Sequence, residues 1–472
     1  TSLAGDKNQN LYNFALSQVG SKPETYINTT WYGKVNLLKG LVFNTRFNYT
    51  TDFLEVTDSR SNALPAWNFL TMQEVSPPTP ASQLTTYSSY SKTWSYTLES
   101  TLNYNTTIRD KHNISAFIGF NQNYNQSYNL NAQGYGLIDP SLTAISTASS
   151  FPVNPTGSAT DYAFRSVFGR FNYNYLEKYL LEVNVRNDGS SRFGTNYKYG
   201  TFPSVSAGWN MAKEGFLSAL NDHNIQELKL RASWGRTGNS TFYDANGNPQ
   251  NYRWQALYGQ TPYAFNGAAY PGLDLNNLAN LELHWETVQQ TNIGLDIVSL
   301  RNFSASVDWF RKKTFGILFQ PAIDPTHGNA AAPYGNFAQV GQNGFELDLG
   351  WHDKVGDFNY SIAGNVSYQY GNSVLQYKGP LVAGWTVTNG DSVYNTNIGA
   401  VSASSGSNTQ TIQGHMISEY YLQTLYHGNG TYVAGGVATP TNGPKTGMIR
   451  TPDDLAWAQA MLNEGYKFQQ ST

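Results

Sequence analysis

Cysteine is absent from all 472 residues, which excludes a disulfide scaffold and any Cys-ligated zinc or iron–sulfur centre. Charge is scarce: Asp, Glu, Lys and Arg make up 13% of the chain, against roughly 25% in an ordinary soluble protein. Neither sign dominates, and a net charge of −3 excludes a generally basic nucleic-acid binder. No run approaches the roughly 18–20 apolar residues of a membrane-crossing helix. The seven histidines, His112, His223, His284, His327, His352, His415 and His427, are scattered without metal-site spacing. Neither a Gly-x-Ser-x-Gly elbow nor a phosphate-binding P-loop occurs. The sequence therefore predicts no catalytic residue, no metal and no cofactor.

Aromatic residues and glycine are abundant instead, with 33 Tyr, 24 Phe, 11 Trp and 43 Gly. A chain this aromatic is not disordered, and a helix-poor, polar but uncharged composition predicts mostly β structure. Two classes fit: a secreted β-protein, or an outer-membrane β-barrel.

Strands whose faces meet different solvents alternate with period two. Phe345, Leu347, Leu349 and Trp351 are interleaved with Glu346, Asp348 and Gly350. Ile362, Val366 and Tyr368 alternate with Ser361, Asn365 and Gln369. Leu228, Leu230 and Trp234 alternate with Lys229, Arg231 and Ser233, and Leu181, Val183 and Val185 with Glu182, Asn184 and Arg186. Eight further segments begin near Ile27, Leu41, Trp94, Ile114, Ala163, Pro203, Thr291 and Phe303, so about twelve strands are predicted. Many reach the roughly 9–11 residues of a tilted transmembrane strand. Aromatics at segment ends, such as Tyr173, Tyr175, Trp309 and Trp351, suit the two interfacial girdles of a membrane barrel.

Connections alternate in length. Short ones fall at Lys39, Asp110, Glu177, Arg301 and Gly356. Long ones run from Phe53 to Ser91, Ser127 to Tyr162, Gly238 to Asn280 and Phe319 to Phe337. Short turns on one rim and long loops on the other fit a barrel. A helical turn is expected around Phe216, Leu217 and Leu220. Thr451-Pro452-Asp453-Asp454 opens a predicted helix: Thr caps it, Pro suits its first position, and two carboxylates meet its positive end. Leu455, Trp457, Ala458, Met461 and Leu462 form its expected apolar side.

The charged members of the alternating rows include Arg186, Arg231, Glu346 and Asp348. Two carboxylates two residues apart share one strand face. In a hydrolase they can act as acid and base, whereas in a barrel they are lumen-facing. The segment bearing Trp254, Tyr258, Tyr263, Phe265 and Tyr270 lies on a long loop beside Asn and Gln. Its rings suit stacking on the C–H faces of sugars, or on a peptide, and equally suit packing against a lid.

Two stretches carry a closer likeness. One reads Phe168-Gly-Arg-Phe-Asn-Tyr-Asn-Tyr-Leu-Glu-Lys-Tyr179, then Asp188-Gly-Ser-Ser-Arg-Phe-Gly194, Phe202-Pro-Ser-Val-Ser-Ala-Gly-Trp209 and Leu228-Lys-Leu-Arg-Ala-Ser-Trp-Gly-Arg-Thr-Gly-Asn239. The other reads Trp285-Glu-Thr-Val-Gln-Gln-Thr-Asn-Ile-Gly-Leu-Asp296. These resemble the barrel of SusC-like (SusC/RagA type) TonB-dependent outer-membrane transporters. The resemblance implies an all-β, antiparallel transmembrane barrel of about 22 strands, of which this chain would hold about twelve. Residues 1–472 would be a partial barrel domain, with strands over 26–370 and an extracellular loop region with a short helix over 371–472. Plug domain, TonB-contacting segment and final strands are expected to be absent. The implied function is active import of oligomeric nutrients across the outer membrane of a Gram-negative cell, a glycan first and an oligopeptide second. The implied partners are a SusD-like surface lipoprotein, the TonB complex and outer-membrane lipid. The rival expectation is a secreted β-rich glycan-binding or glycan-cleaving protein, which needs its apolar rows buried between two sheets.

Overall fold

The computed structural model describes residues 18–60, 66–68, 73–76, 84–138, 142, 144–217, 225–243, 247–299, 302–320, 330–377, 393–394, 411–414, 416–417, 428–445 and 451–464. The chain divides into two units, Thr1–Thr396 with Thr411–Ile417, and Asn397–Gln410 with Ser418–Thr472.

The first unit is built on one antiparallel sheet. Its twelve long strands are β1 (Glu24–Leu38), β2 (Leu41–Arg60), β3 (Thr85–Ile108), β4 (His112–Leu137), β5 (Thr156–Tyr175), β6 (Tyr179–Ser190), β7 (Tyr199–Asn210), β8 (Ile225–Asn239), β9 (Glu286–Ser299), β10 (Phe303–Phe319), β11 (Gly335–Val355) and β12 (Phe358–Tyr377). Each pairs with its neighbour in sequence, and the short strands Gln18–Ser21 and Ala148–Ser150 add to β2 and β4. Among the described residues β1 and β12 occupy opposite edges and do not pair with each other. All twelve predicted segments fall on these strands. β2, β3, β4 and β5 run well into stretches expected to be loop: β4 continues to Leu137 and β5 begins at Thr156. Tyr, Asn, Gln and Thr carry these extensions, and their cross-strand hydrogen bonds, such as Tyr87 Oη to Asn131 Oδ1 at 2.9 Å, hold the ladder without apolar alternation.

Register fixes which residues share a face. Leu230, Leu295, Val307, Leu347 and Val366 follow one another across five strands. Leu181, Val183, Val185, Leu230, Leu349, Ile362 and Val366 are exposed, while Leu347 is half-buried. No second sheet covers this face among the described residues, so the rival arrangement, with these side chains buried between two sheets, does not hold. Apolar rows open to the surroundings fit lipid as the outer solvent.

Aromatic rings mark two levels on this apolar face. At the long-loop side Trp31, Phe47, Tyr96 and Tyr124 stack from strand to strand at 5.6–6.1 Å. At the short-turn side His112, Tyr175 and Tyr179 follow one another at 4.9 and 6.3 Å. Tyr124 and His112 both lie on β4, twelve residues apart. At about 3.4 Å per residue and a tilt of about 40°, the levels stand roughly 30 Å apart, a bilayer's dimension.

The short connections at Lys39, Asp110, Glu177 and Gly356 join strands whose register places all four turns on one rim; Arg301 lies outside the described residues. Gly40 and Gly356 take φ values of 81° and 62°, the left-handed region that a tight antiparallel turn needs and glycine adopts without steric cost. Between β7 and β8, two short 3₁₀ turns, Met211–Lys213 and Gly215–Leu217, replace the single expected turn; Leu220 lies outside the described residues.

Here Glu214 accepts from Tyr179 Oη at 2.6 Å, Trp209 Nε1 at 3.1 Å and Lys178 Nζ at 3.3 Å. Those donors hold its carboxyl below the usual carboxylate range, the Tyr179 bond most strongly. A depressed folded-state value stabilises the connection above the unfolded carboxylate value, and the stabilisation is lost as pH falls through the lower, folded one. Hydrogen exchange of amides 211–217 is expected to accelerate in that acid range. In Glu214→Gln the acid-induced acceleration should vanish; its persistence there would assign it to another group.

In the second unit, α1 (Pro452–Asn463) begins at a capping box. Asp454 N donates to Thr451 Oγ1 at 3.1 Å, and Thr451 N donates to Asp454 Oδ2 at 2.8 Å. Trp457, Ala458 and Met461 pack on Ala438 and Tyr432, and Trp457 Nε1 donates to Thr439 O at 3.0 Å. Leu455 and Leu462, expected on the same apolar side, are exposed. Leu455 lies two residues before Trp457, about 200° away around the helix.

Candidate functional site

The face opposite the lipid-exposed rows is polar and concave. A cavity of about 1120 Å³ opens on it against Asn113, Asn172, Glu182, Ser206, Arg231 and Asn292. Charges on this face pair across strands. Arg231 on β8 donates through Nε to both oxygens of Asp296 on β9, at 3.0 and 3.1 Å. It also reaches past β9 to Asp308 on β10. That reach needs Gly294: a Cβ there would stand 2.5 Å from Asp308 Oδ1 and 2.7 Å from Arg231 Cζ. Ser306 Oγ donates to Asp296 at 2.9 Å, and Lys229 Nζ lies 3.4 Å from the same carboxylate. Arg186 bonds Asp188 at 2.6 Å and Ser166 at 2.8 Å. Glu346 follows Asp308 in register, and Asp348 follows Ser306. Arg186, Arg231, Glu346 and Asp348 thus all lie on the polar face, in a wall rather than a catalytic cleft. No group of three metal-binding side chains occurs among the described residues.

The long-loop rim has its own apolar core. Phe193, Phe202, Phe242, Leu283, Trp285 and Tyr334 are buried together, with Phe164, Trp254 and Leu318 packed on them. Trp285 is central, with the rings of Phe193, Phe202 and Phe164 at 5.3, 5.4 and 6.0 Å, and its Nε1 donates to Lys198 O at 3.0 Å. Beside this core Arg192 is buried, with no carboxylate partner among the described residues. It lies 4.7 Å from the centre of the Tyr162 ring and donates to Asn251 at 2.9 Å and Thr241 at 2.8 Å. Burial pulls its guanidinium below its usual value. Tyr252, at φ 59°, donates to Asp161. Burial, then that carboxylate, pushes its phenol well above its usual range. These bonds clamp the segment after β8 onto the top of β5.

The predicted aromatic group divides in two. Trp254 is half-buried in the rim core. Tyr258, Tyr263 and Phe265 are 65–67% exposed on a hairpin, Leu257–Phe265 paired with Ala268–Asn277. Its turn, Asn266-Gly267 at φ 50° and 79°, suits a two-residue hairpin. Tyr263, Phe265 and Tyr270 share one face, and Tyr258 and Leu273 the other. An isolated two-stranded hairpin is at best marginally stable in water, and this one carries exposed rings on both of its faces. The rim core and the Arg192 clamp were not foreseen. Asp188–Gly194, Phe202 and Trp285 stood out only as motif letters, and their meeting depends on contacts distant in sequence.

An antiparallel wall with a lipid-compatible face, a charged concave face and two aromatic levels defines a transmembrane β-barrel wall. A family model described as TonB dependent receptor-like, beta-barrel matches residues 2–471. The chain belongs to that family of outer-membrane receptors. It is 32% identical over 305 residues to TonB-dependent receptor P39 of Formosa agariphila, covering 63% of this chain and 28% of that protein. It is 30% identical over 282 residues to TonB-dependent receptor SusC of Bacteroides thetaiotaomicron, covering 58% and 26% respectively. The chain thus spans between a quarter and a third of the length of these curated relatives. The solved RagAB peptide transporter superposes with a TM-score of 0.67 at 23% identity, covering 82% of this chain and 39% of that one.

Proposed function

We propose that the chain forms part of the wall and extracellular rim of an outer-membrane importer of oligomeric nutrients, without covalent chemistry of its own. The observation that carries this reading is the two-faced sheet of a TonB-dependent receptor-like barrel, topped by a loop core that presents an aromatic hairpin. Arg186, Arg231, Glu346 and Asp348 face the lumen. A SusD-like lipoprotein covers the rim, and the TonB complex supplies the work of transport. A glycan is the first substrate class, because rings beside amides match sugar C–H faces and hydroxyls. An oligopeptide is second, favoured by the likeness in fold to the RagAB peptide transporter.

Growth of a deletion strain on a panel of polysaccharides and peptides tests the reading. A defect confined to one glycan supports it, a defect confined to peptides selects the second class, and unchanged growth on all overturns it. On the hairpin, Tyr263→Ala with Phe265→Ala is expected to weaken capture of the identified nutrient by about 1–3 kcal/mol, from roughly 0.5–1.5 per ring. Lid association is measured separately. If capture, lid association and uptake are all unchanged, the hairpin is not a contact site.

A further inference from the structure

Several cations of the polar face have a carboxylate at hand. On the polar face Arg46, Arg170, Arg186, Lys229 and Arg231 each lie 2.6–3.9 Å from a carboxylate. On the apolar face Arg236 follows Trp234 and Arg311 follows Trp309 by two residues toward the long loops, with Lys313 two further, and the three have none among the described residues. The order of layers repeats on two strands. Along β8, alternate residues read Leu230, Ala232, Trp234, Arg236; along β10 they read Val307, Trp309, Arg311, Lys313. Register sets them side by side: Trp234, Thr291 and Arg311 form one row, and Arg236, Gln289 and Lys313 the next. No Asp or Glu occupies an alternate position of this face from Leu228 to Gly238, Thr287 to Ile297, Ala305 to Phe315 or Gln339 to Trp351. Arg236 is held by neutral partners, its guanidinium 5.6 Å from the centre of the Trp234 ring and its Nε donating to Gln289 Oε1 at 3.0 Å.

We propose that Arg236, Arg311 and Lys313 bind the phosphorylated headgroup of an outer-leaflet glycolipid. The side chains leave the wall toward lipid, at the level where the hydrocarbon gives way to headgroups. Arg236 and Lys313 stand two strands apart, about 10 Å between backbones, close enough for two long side chains to converge on one phosphate. Guanidinium groups bind phosphate oxygens in pairs, and with no carboxylate on this surface an anion meets no competitor. An interfacial basic cluster is attracted to anionic lipid by about 1 kcal/mol per cation.

The test uses the intact protein, purified from the outer membrane in mild detergent, and the variant Arg236→Gln/Arg311→Gln/Lys313→Gln. The probes are bis-phosphorylated lipid A, the same lipid dephosphorylated, and inorganic phosphate, with bound species read by native mass spectrometry. The wild type is expected to bind the phosphorylated lipid on the order of a hundredfold more tightly than the variant. The dephosphorylated lipid should not distinguish the two proteins, and millimolar phosphate should not displace the lipid. Arg236→Lys/Arg311→Lys should bind more weakly than the wild type and more tightly than the triple Gln variant, because the charges stay and the paired guanidinium bonds are lost. Equal affinity of wild type and triple variant overturns the proposal, and displacement by free phosphate reduces the patch to a simple anion site. Single Gln variants at Arg236 and Lys313 give the same readout should the triple variant not fold.

Discussion

Ile118→Arg in the intact protein is expected to lower the unfolding free energy in a bilayer by about 2–4 kcal/mol, the cost of a cation at the midplane on the lipid face of a barrel. Ile118 lies on β4 midway between His112 and Tyr124, which mark the two aromatic levels. Its register partners are Leu102 on β3 and Gly169 on β5, and Val185 follows on β6, so none of these partners offers a carboxylate to take the charge. It is 57% exposed, so steric crowding is a small part of the expected loss. The control is Ser115→Arg, three residues away on the polar face and against the cavity. There water and carboxylates such as Glu182 are within reach, and the change should stay within about 0.5 kcal/mol. Urea titration of both variants in vesicles is the measurement. Equal losses would mean that the two faces do not meet different solvents, and the membrane orientation of the wall would be wrong.

That contrast between Ile118 and Ser115 is the part of the fold legible in the sequence. A strand facing lipid on one side and polar groups on the other writes its environment into every second residue, so Leu181, Leu230, Leu347 and Val366 announced both strand and face. Glu346 and Asp348 were legible for the same reason. The signal fades where both faces of the ladder are polar, at the tops of β2 to β5, and there the predicted strands stop short. It disappears at the rim. Phe193, Phe202, Phe242, Leu283, Trp285 and Tyr334 come from four separate stretches and share no periodicity, so no local pattern declares that they touch. Trp254 and Tyr258 read alike in sequence as loop aromatics beside amides. Tertiary packing alone separates them, burying one in the rim core and leaving the other on the hairpin.

The rim core is where a single truncation should do most. Trp285→Ala removes the ring that Phe164, Phe193 and Phe202 all pack against. It also leaves Lys198 O without the Trp285 Nε1 donor. Buried aromatic-to-Ala changes cost about 3–5 kcal/mol, and the lost hydrogen bond lies within that range. The cost should fall on the loops rather than the wall, because β8 and β9 stay paired from Asn239 and Glu286 downward through their own ladder. Hydrogen exchange resolves the two. Amides of residues 191–198 and 278–285 are expected to lose protection by a factor corresponding to most of that free energy, while amides of 228–234 and 291–297 keep theirs. The hairpin is clamped to the same region through Tyr252 and Asn251, so nutrient capture should fall with the loop protection even though Trp285 is buried and is not one of the exposed rings. Unchanged capture alongside lost protection would detach the rim core from function and leave it as loop packing alone. If protection is lost equally in the strands, the loop core and the wall unfold as one cooperative unit and the assignment of the rim as a separate element fails.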